Sequence, residues 1–401
     1  METNRSPQLY LWYRGFLDAH FWLPIFFLYF NERVGVAEVL LLESVYYFSV
    51  VILEVPSGYF SDRFGRRKTL LIASGCLTAS FTAFYQAQGM ELLIAGQVLL
   101  AFGLAFNSGT DTSLHYDSLQ EQGMEGEYAT REGIVARNSL IIGAISGVLG
   151  GMAASFDLKW AYGLSAAAMA GAFLCVFRMR EPNRQKEQAL PILNQMRECI
   201  SYLSLKPIAW IFSFVLLMTV LNHIPYMFYQ PYLKELLGLQ DGFFQAPMAA
   251  GMLAGLSAII AAYPAAKSIA ISRFLGIQNA LLLACFIQVL IIGGMAFILH
   301  SAVAGLILLR VIPRSLTAAP INAYLVPKIT SSHRATFLSI QSLCGRIAFA
   351  TYLVAMSYLT NDSELGAYAT IQIPLLAGTL IAFLGLIVLR LTRPMMDKVL
   401  T

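Results

Sequence analysis

The sequence predicts an all-α polytopic membrane protein: twelve transmembrane helices in two six-helix pseudo-repeats around a central cavity. Of its 401 residues, 57% are hydrophobic and only 12% are charged, with a mean hydropathy of +0.64. Because so few charges cannot cover a water-facing surface, most of the outside must face lipid. This composition excludes a soluble enzyme, a disordered protein, a collagen-like fibre and a coiled coil.

Apolar segments of about 20 residues, the length that crosses a bilayer as a helix, recur along the whole chain. They are apolar around the full circumference, as at residues 281–292. A membrane β-barrel would instead alternate polar and apolar residues, so these segments are predicted to be helices. The predicted spans are 9–30, 37–60, 69–88, 91–118, 132–155, 159–179, 207–231, 243–266, 274–298, 301–327, 335–360 and 365–390.

The basic residues fall mainly on one side of these spans. With the N-terminus inside, inner loops and helix ends carry 20 of the 27 Lys and Arg residues, outer loops carry 3, and spans carry 4. Positive residues mark the cytoplasmic side. We therefore expect a multi-pass protein of the cytoplasmic (inner) membrane with both termini cytoplasmic.

Other partners are predicted from composition. Five cysteines without a CxxC pair indicate no metal and no cofactor. A net charge of +4, with cations at helix ends, predicts no nucleic-acid partner. We expect a monomer in the lipid bilayer.

The longest connection divides the chain into halves. We predict an N-terminal six-helix bundle at 1–179, a cytoplasmic linker with an amphipathic helix at 180–206, and a C-terminal six-helix bundle at 207–401. A shift of 203 residues places Arg131 on Arg334 and His20 on His223. Parallel repeats of this kind are typical of transporters whose halves rock around a central site.

The loop after the second span carries a motif, GYFSDRFGRRK at residues 58–68. It resembles the GxxxD(R/K)xGRR(R/K) signature of the major facilitator superfamily, at the loop where that family carries it. The resemblance implies an inside gate latch rather than a substrate site. The motif residues are Gly58, Asp62, Arg63, Gly65, Arg66 and Arg67, with Glu54, Asp117 and Arg137 as expected gate partners.

Two departures from the family pattern are visible. Gln97 stands where many members carry an arginine linked to proton coupling, and the fifth span has Ser146 and Gly147 without the proline of drug antiporters. Both argue against a standard drug/proton antiporter.

Charges inside a bilayer are costly and usually face a cavity or one another. The first half contributes acids and a histidine, and Asp18, His20 and Asp111 are predicted to couple protons. The second half contributes three arginines and no acid within its spans, which predicts an anionic group on the substrate. The predicted substrate-binding residues are Arg310, Arg314, Arg346, Asp18, His20, Asn138 and His223.

Arg310 and Arg314 lie four apart, so we expect both on one helix face. Three other charged residues are expected to have simpler structural roles. Arg14 is expected to extend its head to the surface. Asp111 is expected to pair with Arg137, and Glu43 to be a near-surface residue.

The predicted function is secondary active, proton-coupled transport of a small organic, anionic or zwitterionic solute by alternating access, with efflux favoured. The alternatives are an uptake symporter for an organic anion and a polyspecific drug efflux pump. The chain has no GxxxxGK[ST] loop, so ATP is not the expected energy source. A membrane-embedded enzyme would have only His115 and Asp117 as a candidate cluster, and the repeat with its gate motif argues against a channel or receptor.

Overall fold

The computed structural model describes residues 5–182, 192–238, 246–360 and 367–396. Every regular element within these residues is a helix. Helices satisfy their own backbone groups, which lipid requires because it offers no hydrogen-bond partners. Ten helical segments are long and apolar enough to cross a membrane. The other two predicted spans fall on the broken segment 6–31 and on a helix whose first turn carries three cations.

The described residues form two compact units, the first comprising residues 5–182 and 246–255 and the second the remainder. In the first unit the predicted spans one and four are each divided into two shorter helices. Its helices are α1 Ser6–Leu17, α2 Phe26–Asn31, α3 Val36–Phe64, α4 Arg66–Gln86, α5 Met90–Asn107, α6 Thr110–Gln120, α7 Tyr128–Ala154 and α8 Lys159–Arg178.

The second unit begins with a short helix, α9, at the place of the predicted amphipathic helix. This helix packs on the start of the eleventh predicted span, where Glu198 lies 2.9 Å from His333. The helices, of which α11 begins in the first unit, are α9 Ile192–Ser201, α10 Lys206–Gly238, α11 Ala246–Leu275, α12 Ile277–Phe297, α13 Ser301–Ile307, α14 Ile312–Leu325, α15 Ser331–Leu359 and α16 Ala367–Leu391.

Three predicted spans are interrupted, and each interruption adjoins a buried charge. Span one breaks between Leu17 and Phe26, beside Asp18, and Pro24 inside this break disfavours a helix through the residues just before it. Span four breaks before Asp111 at Gly109, whose φ of 75° suits glycine.

Span ten breaks at a 3₁₀ turn, Leu308–Val311, which contains Arg310 and precedes Pro313 in the first turn of α14. Discontinuous helices place backbone polar groups and side chains inside a membrane protein where a continuous helix could not. The breaks therefore mark three candidate positions, two in the first unit and one in the second.

Candidate functional site

One guanidinium holds two carboxylates in the first unit. Arg14 donates to Asp111 Oδ2 at 2.7 Å, and its other terminal nitrogen lies 3.1 Å from Asp18 Oδ1. The Ser139 hydroxyl donates to the second oxygen of Asp18. Both carboxylates are buried. Two buried acids beside one cation carry an excess negative charge that one bound proton would neutralise. These residues are called the Arg14 cluster below.

The expected partners of Arg14 and Asp111 were wrong. Arg14 pairs with two buried acids instead of extending to the surface, and Asp111 pairs with Arg14 instead of Arg137. A buried guanidinium needs counter-charges, and Asp18 lies one turn further along its own segment. Arg137 is exposed and donates to Asn138 Oδ1 at 3.2 Å.

Two tyrosine rings and a contact between His115 and Glu132 lie beside the Arg14 cluster. Tyr10 stacks on the His115 ring with centroids 4.0 Å apart, and His115 Nδ1 lies 2.7 Å from Glu132 Oε1. The Tyr13 hydroxyl donates to Asn107 Oδ1. Both tyrosine rings are fully buried. The first half of the chain thus places polar groups in a largely apolar interior.

Three buried polar atoms around the cluster have no hydrogen-bond partner within the described residues: the Tyr10 hydroxyl, Arg14 Nε and His115 Nε2. Buried polar atoms in native proteins are almost always paired. His20, half-buried in the same chain break, lies close enough to Asp18 to interact with it electrostatically.

The motif loop is held by a residue that the sequence did not single out. Gly65 has a φ of 103°, and the backbone N–H groups of Arg66 and Arg67 donate to the Glu181 carboxylate at 2.7 and 2.8 Å. Glu181 therefore caps the N-terminus of α4, where a negative charge is favourable. The Arg66 side chain forms an ion pair with Asp117.

The remaining motif residues lie along α3. Arg63 donates to the Tyr59 hydroxyl at 2.5 Å, and Glu54 is half-buried. The surroundings of Gly58 and the side chain of Asp62 lie outside the described part of the chain. The predicted pairing of Asp117 with a motif arginine is thus observed, while the latch role of the motif stays a prediction.

Arg310 is the buried cation of the second unit. It is 7% exposed, its Nη1 donates to Ser257 Oγ at 2.5 Å and to the Ile307 carbonyl at 3.3 Å, and its guanidinium carbon lies 4.4 Å from the centre of the Tyr229 ring. Within the described residues, both hydrogen bonds of the guanidinium come from Nη1. No Asp or Glu occurs at residues 246–360 or 367–396. The guanidinium therefore keeps donors free for another acceptor.

Arg314 and Arg346 have different surroundings from Arg310. Because the 3₁₀ turn ends at Val311, Arg314 lies on α14 and is exposed, whereas Arg310 is buried. The expectation of one continuous helix through both arginines is therefore wrong, and the two side chains differ in exposure. Arg346 is half-buried, and both Arg314 and Arg346 lie near enough to His223 to act on it electrostatically.

His223 also makes local contacts. Its Nδ1 lies 2.6 Å from the Thr219 carbonyl, and its ring centre lies 4.8 Å from that of Phe349.

The sequence did not single out two amide side chains near Arg310, those of Gln288 and Asn222. Gln288 Nε2 donates to Asn222 Oδ1 at 2.6 Å and lies 3.5 Å from the Arg310 carbonyl, while its own Oε1 is buried without a partner in the described chain. A lone glutamine inside an apolar segment was the available signal.

Comparisons with known proteins agree with this architecture. A family model described as the Major Facilitator Superfamily matches residues 16–352. A search of curated proteins gives no match. Among solved structures, a point mutant of the nucleoside transporter NupG superposes with a TM-score of 0.82 at 15% identity, covering 98% of this chain and 100% of that one.

Two further structures have the same fold. A bacterial homologue of the human lysosomal transporter Spinster, inward-facing and unoccupied, gives a TM-score of 0.70 at 15% identity, over 98% of this chain and 97% of that one. A D-xylose–proton symporter gives 0.70 at 12% identity, over 99% of each chain. At these identities the likeness concerns the fold alone.

Proposed function

The chain belongs to the major facilitator superfamily and is a multi-pass membrane transporter rather than an enzyme, and from this premise we propose that its cargo is a small organic solute with an anionic group. The cargo is an anion or a zwitterion, bound through Arg310 and moved by alternating access. The observation that carries this proposal is the buried Arg310 guanidinium, which forms no ion pair with an acid within the described residues and packs on the Tyr229 ring.

A buried charge without a counter-charge is expensive. The Tyr229 ring and the Ser257 hydroxyl offset part of this cost, since a cation over an aromatic face gains about 0.5–2 kcal/mol. A carboxylate or phosphate of the cargo would neutralise the charge of Arg310 and would accept two parallel hydrogen bonds from its planar guanidinium group. Gln288 and Asn222, beside Arg310, supply amide groups for the rest of the solute.

We place proton coupling at the Arg14 cluster, with Asp18, His20 and Asp111 as the titrating residues. One guanidinium neutralises one of two buried carboxylates, so binding a single proton changes the cluster from negative to neutral without leaving an unpaired cation. Efflux is the direction that we propose. We propose a monomer in the cytoplasmic membrane. Both termini are placed in the cytoplasm because the basic residues are concentrated on that side.

Flux in proteoliposomes tests the proposal. Purified protein is screened for thermal stabilisation by carboxylates, organic phosphates, amino acids, neutral sugars and cationic amphiphiles, and stabilising solutes are then assayed for counterflow and for movement against an imposed pH gradient. We expect anions or zwitterions to be carried, and Arg310→Ala to abolish counterflow while the exposed Arg273→Lys does not. Transport restricted to neutral or cationic solutes would refute the anion site and leave drug efflux as the better description. If the solute instead accumulates on the side to which protons flow, the protein is an uptake symporter.

A further inference from the structure

Glu43 is a third buried acid of the first unit, and it differs from the two in the Arg14 cluster. It is 7% exposed, so the expectation of a near-surface residue is wrong. It lies seven residues into α3, about 10 Å along the helix from its start. Its carboxylate accepts one hydrogen bond, from Gln97 Nε2 on α5 at 2.8 Å.

No cation faces this carboxyl group within the described residues. The elements packed against α3 are α2, α4 and α5. Helix α2 carries no charge, α5 carries only Glu91, and α4 carries Arg66, Arg67 and Lys68 in its first turn. Those three cations follow the far end of α3, roughly 30 Å along it from Glu43. Glu43 makes no ion pair with any of them.

A buried, ionised carboxylate without a counter-charge is strongly disfavoured, and the group takes up a proton instead. The amide of Gln97 suits both forms, because it can donate to a carboxylate or, when turned over, accept from a carboxylic acid. The pair can therefore gain and lose a proton without a change in packing. In contrast, Asp18 and Asp111 have Arg14 to stabilise their charge.

We propose that the Glu43–Gln97 pair is a proton-binding site, separate from the Arg14 cluster, that adds a second proton to the transport cycle. Glu43 carries the proton while the pair is buried and releases it to water when an opening of the unit hydrates the pair. This inference rests on the proposed function for its role in transport. The existence of the bound proton does not depend on that function.

Infrared difference spectroscopy of the purified protein tests the proton directly, without cargo. A buried carboxylic acid gives a carbonyl stretch that disappears when alkaline buffer ionises it. We expect the wild type to show such a band that is absent in Glu43→Gln and retained in Glu38→Gln, a matched variant on the same helix, while any band of the Arg14 cluster is common to all three proteins. Gln97→Leu removes the one donor to the ionised form, so its band should persist to more alkaline buffer. An unchanged set of bands in Glu43→Gln would overturn the proposal.

The role in transport is tested by the cargo ratio that proteoliposomes reach at zero membrane potential. With two coupled protons this ratio follows the square of the proton gradient, and with one it follows the first power. We expect Glu43→Gln to change the dependence from the square to the first power, with counterflow kept within about two-fold because the variant preserves packing. An unchanged exponent would refute coupling through Glu43. If the wild type shows no proton-driven flux at all, the proposed function fails while the infrared result still decides the site.

Discussion

Arg14 and Asp111 lie 97 positions apart in sequence, yet their side chains meet at 2.7 Å inside the first unit. The contact joins the two broken spans of that unit, since Arg14 is on α1 and Asp111 is in the first turn of α6. Asp18 shares the same guanidinium. The pairing explains how two acids are tolerated in an apolar interior, and it makes the cluster sensitive to the loss of any member.

Removing Arg14 should be more harmful than removing one of its acids. Arg14→Gln leaves two buried carboxylates without a cation, which we expect to cost about 3–5 kcal/mol of stability, as for other broken buried pairs. Asp111→Asn leaves one acid with one cation and should cost less. Thermal unfolding in detergent measures both, with the exposed Arg137→Gln as the control. Equal loss of stability in Arg14→Gln and Arg137→Gln would show that Arg14 does not hold the cluster.

Asp18 should matter for coupling rather than for cargo binding. Asp18→Asn keeps the shape of the side chain and its neighbour Ser139, but it removes one titrating group. We expect lower proton-driven accumulation with preserved counterflow in proteoliposomes. Asp157→Asn, in the connection between α7 and α8, is the matched control for loss of an acid. A normal response of the Asp18 variant to the pH gradient would move the coupling site elsewhere.

The turn before α4 should require glycine. Gly65 has a φ of 103°, and an added Cβ would lie 3.0 Å from the Glu181 carboxyl group. Gly65→Ala should therefore lower stability by about 1–3 kcal/mol, the cost of placing a side chain in a positive-φ region that essentially only glycine adopts. Gly126→Ala, where a Cβ meets open space, is the control in the same unfolding assay. No difference between the two variants would contradict the described turn.

Glu181 should stabilise the same turn through its carboxylate. Glu181→Ala removes the acceptor for two backbone N–H groups, which is equivalent to losing an N-cap and should cost about 1 kcal/mol. Glu181→Asp should recover part of this loss only if the shorter chain still reaches the turn. Unfolding of both variants beside Glu125→Ala gives the comparison, and stability equal to wild type in Glu181→Ala would rule out the cap.

The membrane fold and the family were predictable from the sequence because their signals are local. Lipid imposes apolar runs of fixed length, and residues 58–68 carry the motif within one loop. The family membership confirms the resemblance that the motif indicated. The helix breaks also had local signals, Pro24, Gly109 and Pro313, which mark places where a helix is hard to continue.

The pairings inside the units could not be predicted in the same way. Nothing near Asp111 in sequence distinguishes Arg14 from Arg137 as its partner, and the choice depends on how α1 packs against α6. The difference in exposure between Arg310 and Arg314 coincides with one 3₁₀ turn, whose residue spacing departs from that of a regular α-helix. The burial of Glu43 could not be predicted, because the position of a residue along a helix does not show whether its face packs against neighbouring helices.

The affinity of Arg310 variants for the cargo tests the central claim most directly. With an anionic solute from the screen and its neutral amide analogue, titration calorimetry gives Kd for wild type, Arg310→Lys and Arg273→Lys. Lysine keeps the charge but loses the fork, so Arg310→Lys should weaken anion binding at least about ten-fold, the cost of one charge-assisted hydrogen bond of about 1.5–3 kcal/mol. The neutral analogue should bind weakly to all three proteins. Equal affinity of wild type and Arg310→Lys for the anion, or equal affinity of wild type for the anion and the amide, would contradict an anion site at Arg310.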